Sequence, residues 1–281
     1  MTDRIRLTVE NHVADVRLIR TDKMNALDNE MMKAIVETIQ TIDNDPNVRC
    51  VVVSGDGRAF CAGLDMSNFQ RMSKGGDRAA GAGVTRDKLA VRTHGIVNFP
   101  QQCVWGWRQL RVPVISAAHG VALGGGFQLM LGADIRIVHP DTKLAILESR
   151  WGLVPDMSAT AIMRLCARED IVRELTYTGR FFSGEEAKEY GFATHVSADP
   201  RAHAMELAAA IAERSPDAVQ MSKALFNGLP DRTEAEQLLA ESEAQDGVIG
   251  QPNQVEAVKA ALEKRAANFI DGAIPHSSAA E

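Results

Sequence analysis

Alternation of apolar and polar residues marks the start of the chain. Ile5 to Glu10 and His12 to Ile19 both alternate, and Glu10-Asn11 lies between them, which predicts a β-hairpin. The period then changes, because apolar side chains recur at helical spacing between residues 31 and 42. Asp28 precedes this segment and is a suitable N-cap, so we expect a helix to begin just after it.

Three short apolar runs further along predict buried strands. They are Val51 to Val53, Val112 to Ala118 and Ile135 to Val138. Helix-like segments alternate with them, including a short one at Phe127 to Leu131. Strands that alternate with helices indicate crossover connections and a largely parallel sheet, so the predicted fold class is α/β.

Longer segments of other character set the predicted domain organisation. Ser73 to Val84 is rich in Gly, Ala and charge, and we expect a mobile loop there rather than an interdomain linker. Leu89 to Leu110 predicts a helix interrupted near Pro100, and Val255 to Ile270 predicts an amphipathic C-terminal helix. These patterns divide the chain into an α/β core (residues 1–200) and a helical C-terminal region (residues 201–281).

Composition narrows the class of protein. The 281 residues are 45% hydrophobic and 24% charged, as in ordinary globular proteins, and the net charge of −6 argues against binding nucleic acid or anionic membranes. No window approaches the roughly 18 apolar residues of a membrane span. The four cysteines form no CxxC pair, which predicts buried free thiols and, with no apolar signal core at the N-terminus, a cytoplasmic protein.

Most motifs of known chemistry are absent from the sequence. There is no P-loop, no dinucleotide-binding fingerprint, no HExxH or GxSxG motif, and no histidine pair at metal-ligand spacing, so no metal site is expected. Two glycine-bearing turns remain, each after an apolar run: Phe60 to Asp65 and Gly120 to Gly126. A run of glycines such as Gly124-Gly125-Gly126 leaves backbone N–H groups bare, which suits an oxyanion hole.

Together with the residues around them, these turns resemble the crotonase superfamily, the enoyl-CoA hydratase/isomerase family. The other matching segments are Asn25 to Leu27, Ala133 to Arg136, Glu148 to Pro155, Leu175 to Arg180, Ser183 to Ala187 and Glu263 to Phe269. The resemblance covers nearly the whole chain. It implies a crotonase-like spiral of ββα units with a helical C-terminal trimerisation region, assembled as a homotrimer or a dimer of trimers. It also implies an acyl-CoA substrate and no cofactor beyond that coenzyme A.

The resemblance assigns an oxyanion hole to two backbone N–H groups, those of Leu64 and Gly125. A thioester carbonyl gains negative charge when the adjacent carbon is deprotonated or attacked, and two preorganised donors would stabilise that enolate. For the CoA moiety it indicates residues in both turns and near both ends of the chain: Lys23, Met24, Ala26, Ala62, Asp65, Gly124, Lys264 and Phe269. The residue pattern itself favours structural roles for Asp65 and Asp134, as a helix cap and a member of a buried ion pair.

The resemblance further implies that Glu148 is the catalytic acid–base residue. It follows an apolar run, so burial should raise its pKa, whereas a solvated strand-end glutamate is the alternative. Asp156, eight residues later, matches an aspartate that shuttles protons in related dienoyl-CoA isomerases. An N-cap for a helix starting near Met157 is an equal alternative for Asp156.

Gln128 departs from the family pattern at a position that is often a carboxylate. Hydratases of this family hold one water between two glutamates, and an amide can hold that water but cannot take its proton. Losing a positioned general base costs about 100- to 10,000-fold. The main expectation is an enzyme of the enoyl-CoA hydratase/isomerase type in fatty acyl-CoA metabolism.

Two alternatives to that expectation remain. The first is a 3-enoyl to 2-enoyl or dienoyl-CoA isomerase, since Glu148 alone, or with Asp156, could move a double bond. The second is a non-catalytic crotonase-like protein, against which the retained Glu148, Leu64 and Gly125 argue.

Overall fold

The chain begins with the predicted hairpin. In the computed structural model, which describes residues 3–73 and 89–272, β1 (Ile5–Glu10) pairs antiparallel with β2 (Val13–Leu18). Asn11 and His12 make the turn between them with φ values of 48° and 66°. The predicted loop at Ser73 to Val84 lies outside the described residues from position 74 onward.

A mostly parallel sheet follows from this hairpin. The remaining strands are β3 (Cys50–Gly55), β4 (Val114–Ala118), β5 (Val121–Leu123), β6 (Ile135–Val138), β7 (Lys143–Ala145) and β8 (His195–Val196). The main sheet has the order β1-β2-β3-β4-β6-β8, and each pair after the hairpin is parallel. A second, two-stranded parallel sheet joins β5 to β7. The predicted parallel α/β architecture is confirmed.

Helices connect the strands and then form the rest of the chain. They are α1 (Asn29–Asp43), α2 (Met66–Ser73), α3 (Phe99–Gln109), α4 (Gly125–Leu131), α5 (Ala159–Met163), α6 (Glu169–Thr178), α7 (Gly184–Tyr190), α8 (Pro200–Ala212), α9 (Pro216–Gly228), α10 (Glu234–Val248) and α11 (Pro252–Glu263). Asp28 caps α1 as predicted, because its side chain accepts a hydrogen bond from the N–H of Met31 at 2.8 Å.

Two predicted helix boundaries are wrong. Pro100 lies in the first turn of α3 instead of interrupting a longer helix, because Asn98 forms a capping box there and proline is preorganised for a helix start. The last helix ends at Glu263, and Lys264 takes a left-handed conformation. Beyond it, Arg265 and Asn268 both bind the carboxylate of Glu256, which holds the chain back along α11 instead of extending the helix.

The core lies on both faces of the main sheet. On one face α1, α3 and α4 bury large side chains such as Ile35, Trp107 and Phe127. On the other, α8 lays Ala204, Ala208 and Ala212 against the strands. Small residues at this spacing let the helix approach the sheet closely. The strands end at residue 196, and the division at residue 200 stays a prediction.

Two further structural expectations are confirmed. All four cysteines are free thiols, but burial is confirmed for three of them, since Cys166 is only partly buried. Burial raises the pKa of Cys50, Cys61 and Cys103 to about 12. Asp134 accepts a hydrogen bond from the N–H of Val114 and forms an ion pair with Lys223, both at 2.8 Å. No helix in the described residues is long and apolar enough to cross a membrane.

Candidate active site

The two glycine-bearing turns lie side by side. The first follows β3, and its Cys61 exchanges backbone hydrogen bonds of 3.1 Å with Val121 and Leu123 of β5. Two residues later, the carbonyl of Gly63 accepts a hydrogen bond from the N–H of Leu27 at 2.7 Å. The segment from 61 to 64 is therefore held between Leu27 on one side and β5 on the other.

This arrangement fixes the direction of the Leu64 N–H. In a trans peptide the N–H points opposite to the preceding carbonyl, and no described peptide bond is cis. Since the Gly63 carbonyl points at Leu27, the N–H of Leu64 points towards the turn that follows β5. A Cβ atom on Gly63 would overlap the carbonyl oxygen of Leu123 and lie 3.5 Å from the nitrogen of Gly125, so the two turns are in contact.

The same reasoning fixes the Gly125 N–H. The carbonyl of Gly124 accepts the hydrogen bond of the Gln128 N–H at 3.0 Å, so the N–H of Gly125 points away from the body of α4. Gly126 packs so closely that a Cβ atom there would overlap the carbonyl of Cys61. Neither Leu64 nor Gly125 donates its N–H to another described residue. The structure thus brings together the two donors that the sequence suggested.

Glu148 approaches these donors from β7. It begins a short helical turn, Glu148–Trp151, and is 8% exposed. A Cβ atom on Gly124 would be 3.3 Å from Glu148 Oε1, and Gly124 has φ 49° and ψ −119°, a conformation that favours glycine. Glycine at this position therefore lets the carboxylate come close to the turn.

The two oxygens of Glu148 differ in their surroundings. Oε1 accepts a hydrogen bond of 2.6 Å from Nε2 of Gln128, whereas buried Oε2 has no hydrogen-bond partner among the described residues. Burial raises the pKa of this carboxyl, and hydrogen bonds from the backbone and Gln128 oppose that shift only in part. The charge of Asp156 raises the pKa further. The expected burial and its effect on the pKa are confirmed, and the solvated alternative is wrong.

The Gln128 side chain is fixed by hydrogen bonds to the protein at both ends of its amide, which the sequence did not predict. It is 1% exposed, and its Oε1 accepts hydrogen bonds from the N–H groups of Met157 at 2.8 Å and Ala159 at 3.4 Å. Its side chain therefore joins Glu148 to the segment before α5. Sequence alone carries no signal for this connection, because the partners lie 20 to 31 residues away.

Asp156 is exposed and lies near Glu148 on the same segment. Its alternative role as the N-cap of the following helix is wrong, because α5 begins at Ala159 and its N-cap is Ser158, at φ 72°. A role in proton shuttling stays a prediction.

The predicted CoA-binding residues fall into groups. The N–H of Ala62 donates to the carbonyl of Met24 at 2.9 Å, which places the exposed Lys23 and the buried Ala26 beside the first turn. Asp65 serves local structure, as the residue pattern predicted. One oxygen pairs with Arg20 at 2.6 Å, and the other accepts the N–H of Ser67 in the first turn of α2. Burial opposes ionisation of Asp65, but these hydrogen bonds outweigh it and lower the pKa to about 2.

Phe269 does not join the site within one chain, and a CoA-binding role for Lys264 stays a prediction. The carbonyl of Phe269 accepts a hydrogen bond from Arg49, which directly precedes β3, whereas Leu64 follows the opposite end of that strand. A strand of six residues spans about 17 Å. Lys264 is exposed at the end of α11. Across the described ranges, no cluster of three or more His, Cys, Asp or Glu could hold a metal ion.

Similarity to known proteins extends over nearly the full chain. A family model for enoyl-CoA hydratase/isomerase matches residues 8–272. The chain is 31% identical to enoyl-CoA hydratase EchA19 of Mycobacterium tuberculosis, over 92% of this chain and 93% of that protein. It is also 31% identical to the mitochondrial Δ(3,5)-Δ(2,4)-dienoyl-CoA isomerase of mouse, over 92% of this chain and 79% of the isomerase. The crystal structure of an enoyl-CoA hydratase from Bacillus anthracis superposes with a TM-score of 0.82 at 28% identity, covering 95% and 98% of the two chains.

Proposed function

Because the chain belongs to the enoyl-CoA hydratase/isomerase family, we propose that its active site polarises an unsaturated acyl-CoA thioester between the N–H groups of Leu64 and Gly125. The observation that carries this proposal is the contact between two turns, in which the N–H groups of Leu64 and Gly125 have no acceptor among the described residues and a buried carboxylate lies beside them. The chain is an enzyme of the hydratase/isomerase type, and this site is where its chemistry would occur.

The two N–H groups would act on the thioester oxygen. That oxygen becomes negative as the enolate forms, and donors that are already oriented need no reorganisation in the transition state. Removing one such donor typically costs about 100- to 1,000-fold in rate. Glycine at 124 and 126 supports this arrangement, because side chains there would displace Glu148 or the backbone of Cys61.

Glu148 would transfer the proton through Oε2. A carboxyl whose pKa is raised by burial exists in both protonation states closer to neutral pH, as a general acid–base residue requires. In double-bond isomerisation, Oε2 would take a proton from C2 of a 3-enoyl thioester and return it at C4, which leaves a 2-enoyl thioester. In hydration, water adds across the 2-enoyl double bond, and the same carboxyl takes part in the proton transfer. Both reactions pass through the enolate that the two N–H groups stabilise.

The substrate's coenzyme A would lie along residues 23–26 and 62–64, where exposed Lys23 can meet its phosphates. No further cofactor takes part in this proposal. Exposed apolar side chains on the C-terminal helices, such as Phe226 (72%) and Leu262 (79%), support a homotrimer or a dimer of trimers in which a neighbouring chain covers them. Lys264 and Phe269 would then reach a neighbour's site. The free thiols suit a reducing compartment such as the cytoplasm. An enzyme that acts on unsaturated acyl-CoA thioesters there would serve fatty acyl-CoA metabolism.

A panel of 2-enoyl, 3-enoyl and dienoyl thioesters tests the proposal. Loss of 2-enoyl absorbance would identify hydration, and gain of that absorbance from the 3-enoyl ester would identify isomerisation. If no ester in the panel is converted and none raises the melting temperature of the protein, the proposed function is wrong.

A further inference from the structure

The amide of Gln128 can take only one orientation. Its Oε1 accepts hydrogen bonds from the N–H groups of Met157 and Ala159, which can only donate. If the amide were turned the other way, its NH₂ group would face these two donors and none of the three groups would find an acceptor there. The side chain is 1% exposed, and no water can replace these partners without opening the core. Nε2 must therefore face Glu148, as it does at 2.6 Å.

This orientation makes the two oxygens of Glu148 unequal. Oε1 is occupied by the Gln128 amide, whereas Oε2 has no hydrogen-bond partner among the described residues and is the one left for chemistry. A carboxylate at position 128 could still accept the two N–H groups. It could not donate to Glu148 unless it were itself protonated, since an ionised carboxylate is only an acceptor.

We propose that Gln128 is a positioning residue. Its Nε2 donates a permanent hydrogen bond to Oε1 of Glu148, so that Oε2 alone performs the acid–base step. Gln128 does not touch the substrate or hold its water. The inference rests on the proposed function and deepens it, because it names the oxygen that acts. The same side chain fixes the segment of Met157, whose sulfur lies 3.1 Å from where a Cβ atom of Gly125 would be. Gln128 thus ties the carboxylate to the backbone that frames the oxyanion hole.

The charged surroundings of Glu148 are simple. Asp156, on the segment before α5, is the titratable group whose charge acts on it. From α4 and from the turn after β5, the uncharged Gln128 and Gly124 face it. Removing the Gln128 donor should therefore destabilise the carboxylate form of Glu148, because no Lys, Arg or His among the described residues forms an ion pair with it.

The test is the pH profile of kcat/KM for Gln128→Leu, which keeps the bulk of the side chain and removes the donor. Hydrogen bonds to charged groups contribute enough that the acid limb should move upward by about one to two pH units. kcat should fall by on the order of 100-fold as Oε2 loses its position, while KM changes little. An acid limb and a kcat equal to those of the unmodified chain would overturn the inference.

Gln128→Glu covers the case in which the leucine variant does not fold, because it keeps both acceptor contacts. Two carboxyl groups this close cannot both ionise, so the acid limb should again move upward. If it stays in place, Gln128 does not contact Glu148. The matched control is Gln102→Leu on α3, whose side-chain oxygen has no hydrogen-bond partner among the described residues. Its profile should equal that of the unmodified chain.

A titration of the Glu148 carboxyl by ¹³C NMR separates this inference from the proposed function. The signal is assigned by its absence in Glu148→Gln. A midpoint that is higher in Gln128→Leu supports the contact even if no thioester is converted. An unchanged midpoint in an enzyme that converts thioesters overturns the inference and leaves the proposed function standing.

Discussion

At the scale of single residues, the site depends on small differences in surroundings. Glu148 and Asp156 are both carboxyl groups, yet Glu148 is buried against Gly124 and Gln128 whereas Asp156 is exposed. Burial makes the pKa of Glu148 sensitive to any charge nearby, since little water screens it. Asp156 is therefore able to adjust the chemistry of Glu148 by its charge alone.

Asp156→Asn should move the acid limb of kcat/KM to lower pH. The negative charge of Asp156 raises the pKa of Glu148, so its removal lowers that pKa and the base form persists to lower pH. The measurement is the pH profile on whichever thioester is converted. Asp141→Asn, an exposed aspartate elsewhere (92% exposed side chain), is the control and should leave the profile unchanged. A limb that stays in place for Asp156→Asn would show that its charge does not reach Glu148.

At the scale of elements, the oxyanion donors depend on how α4 meets the first turn. The start of α4 lies against the backbone of Cys61, and Gly126 is the residue at that contact. Leu64 and Gly125 keep their spacing only while this contact stays tight.

Gly126→Ala should therefore damage both stability and rate. The added methyl group would overlap the Cys61 carbonyl, and overpacking of this kind costs about 1–3 kcal/mol in the free energy of unfolding. Denaturant unfolding and kcat measure the two effects. Gly152→Ala is the comparison variant. Gly152 has a positive φ of 67° and nothing lies within 4 Å of the added Cβ atom, so this variant introduces backbone strain without a steric overlap. Equal rates for Gly126→Ala and the unmodified chain would mean that this contact does not set the donors.

Local patterns predicted the elements better than the contacts between them. The glycine turns and the burial of Glu148 follow from neighbours in sequence, and both were predicted. The partners of Gln128 depend on how α4 is placed against residues 157–159, which no local pattern encodes. The end of α11 depends on Glu256, whose contacts with Arg265 and Asn268 turn the chain back after the helix. Likewise, Ser158 has a left-handed backbone conformation, at φ 72°, and α5 begins after it at Ala159, not next to Asp156.

At the scale of the whole molecule, the C-terminal helices are tied to the α/β core through buried polar contacts. Lys223 on α9 reaches Asp134 and the carbonyls of Trp107 and Val112. Burial lowers the pKa of Lys223, and the carboxylate of Asp134 opposes that shift. This lysine therefore links the ends of α3 and β4 to the helical region.

Lys223→Met should destabilise the chain without changing the site directly. Removing one partner of a buried pair costs about 3–5 kcal/mol, and the cost here should lie at or below the lower end because the Asp134 side chain is 25% exposed. Denaturant unfolding of the variant, compared with Lys33→Met on the exposed face of α1, measures it. Equal stability of Lys223→Met and the unmodified chain would contradict this account of how the two regions are joined.

The most direct test of the central claim is the rate of Glu148→Gln on the thioester that the unmodified chain converts best. Glutamine keeps the size of the side chain but cannot transfer the proton, so kcat/KM should fall by at least about 100-fold. The same thioester should still raise the melting temperature of the variant. A folded Glu148→Gln variant with the rate of the unmodified chain would contradict the assignment of acid–base chemistry to Glu148.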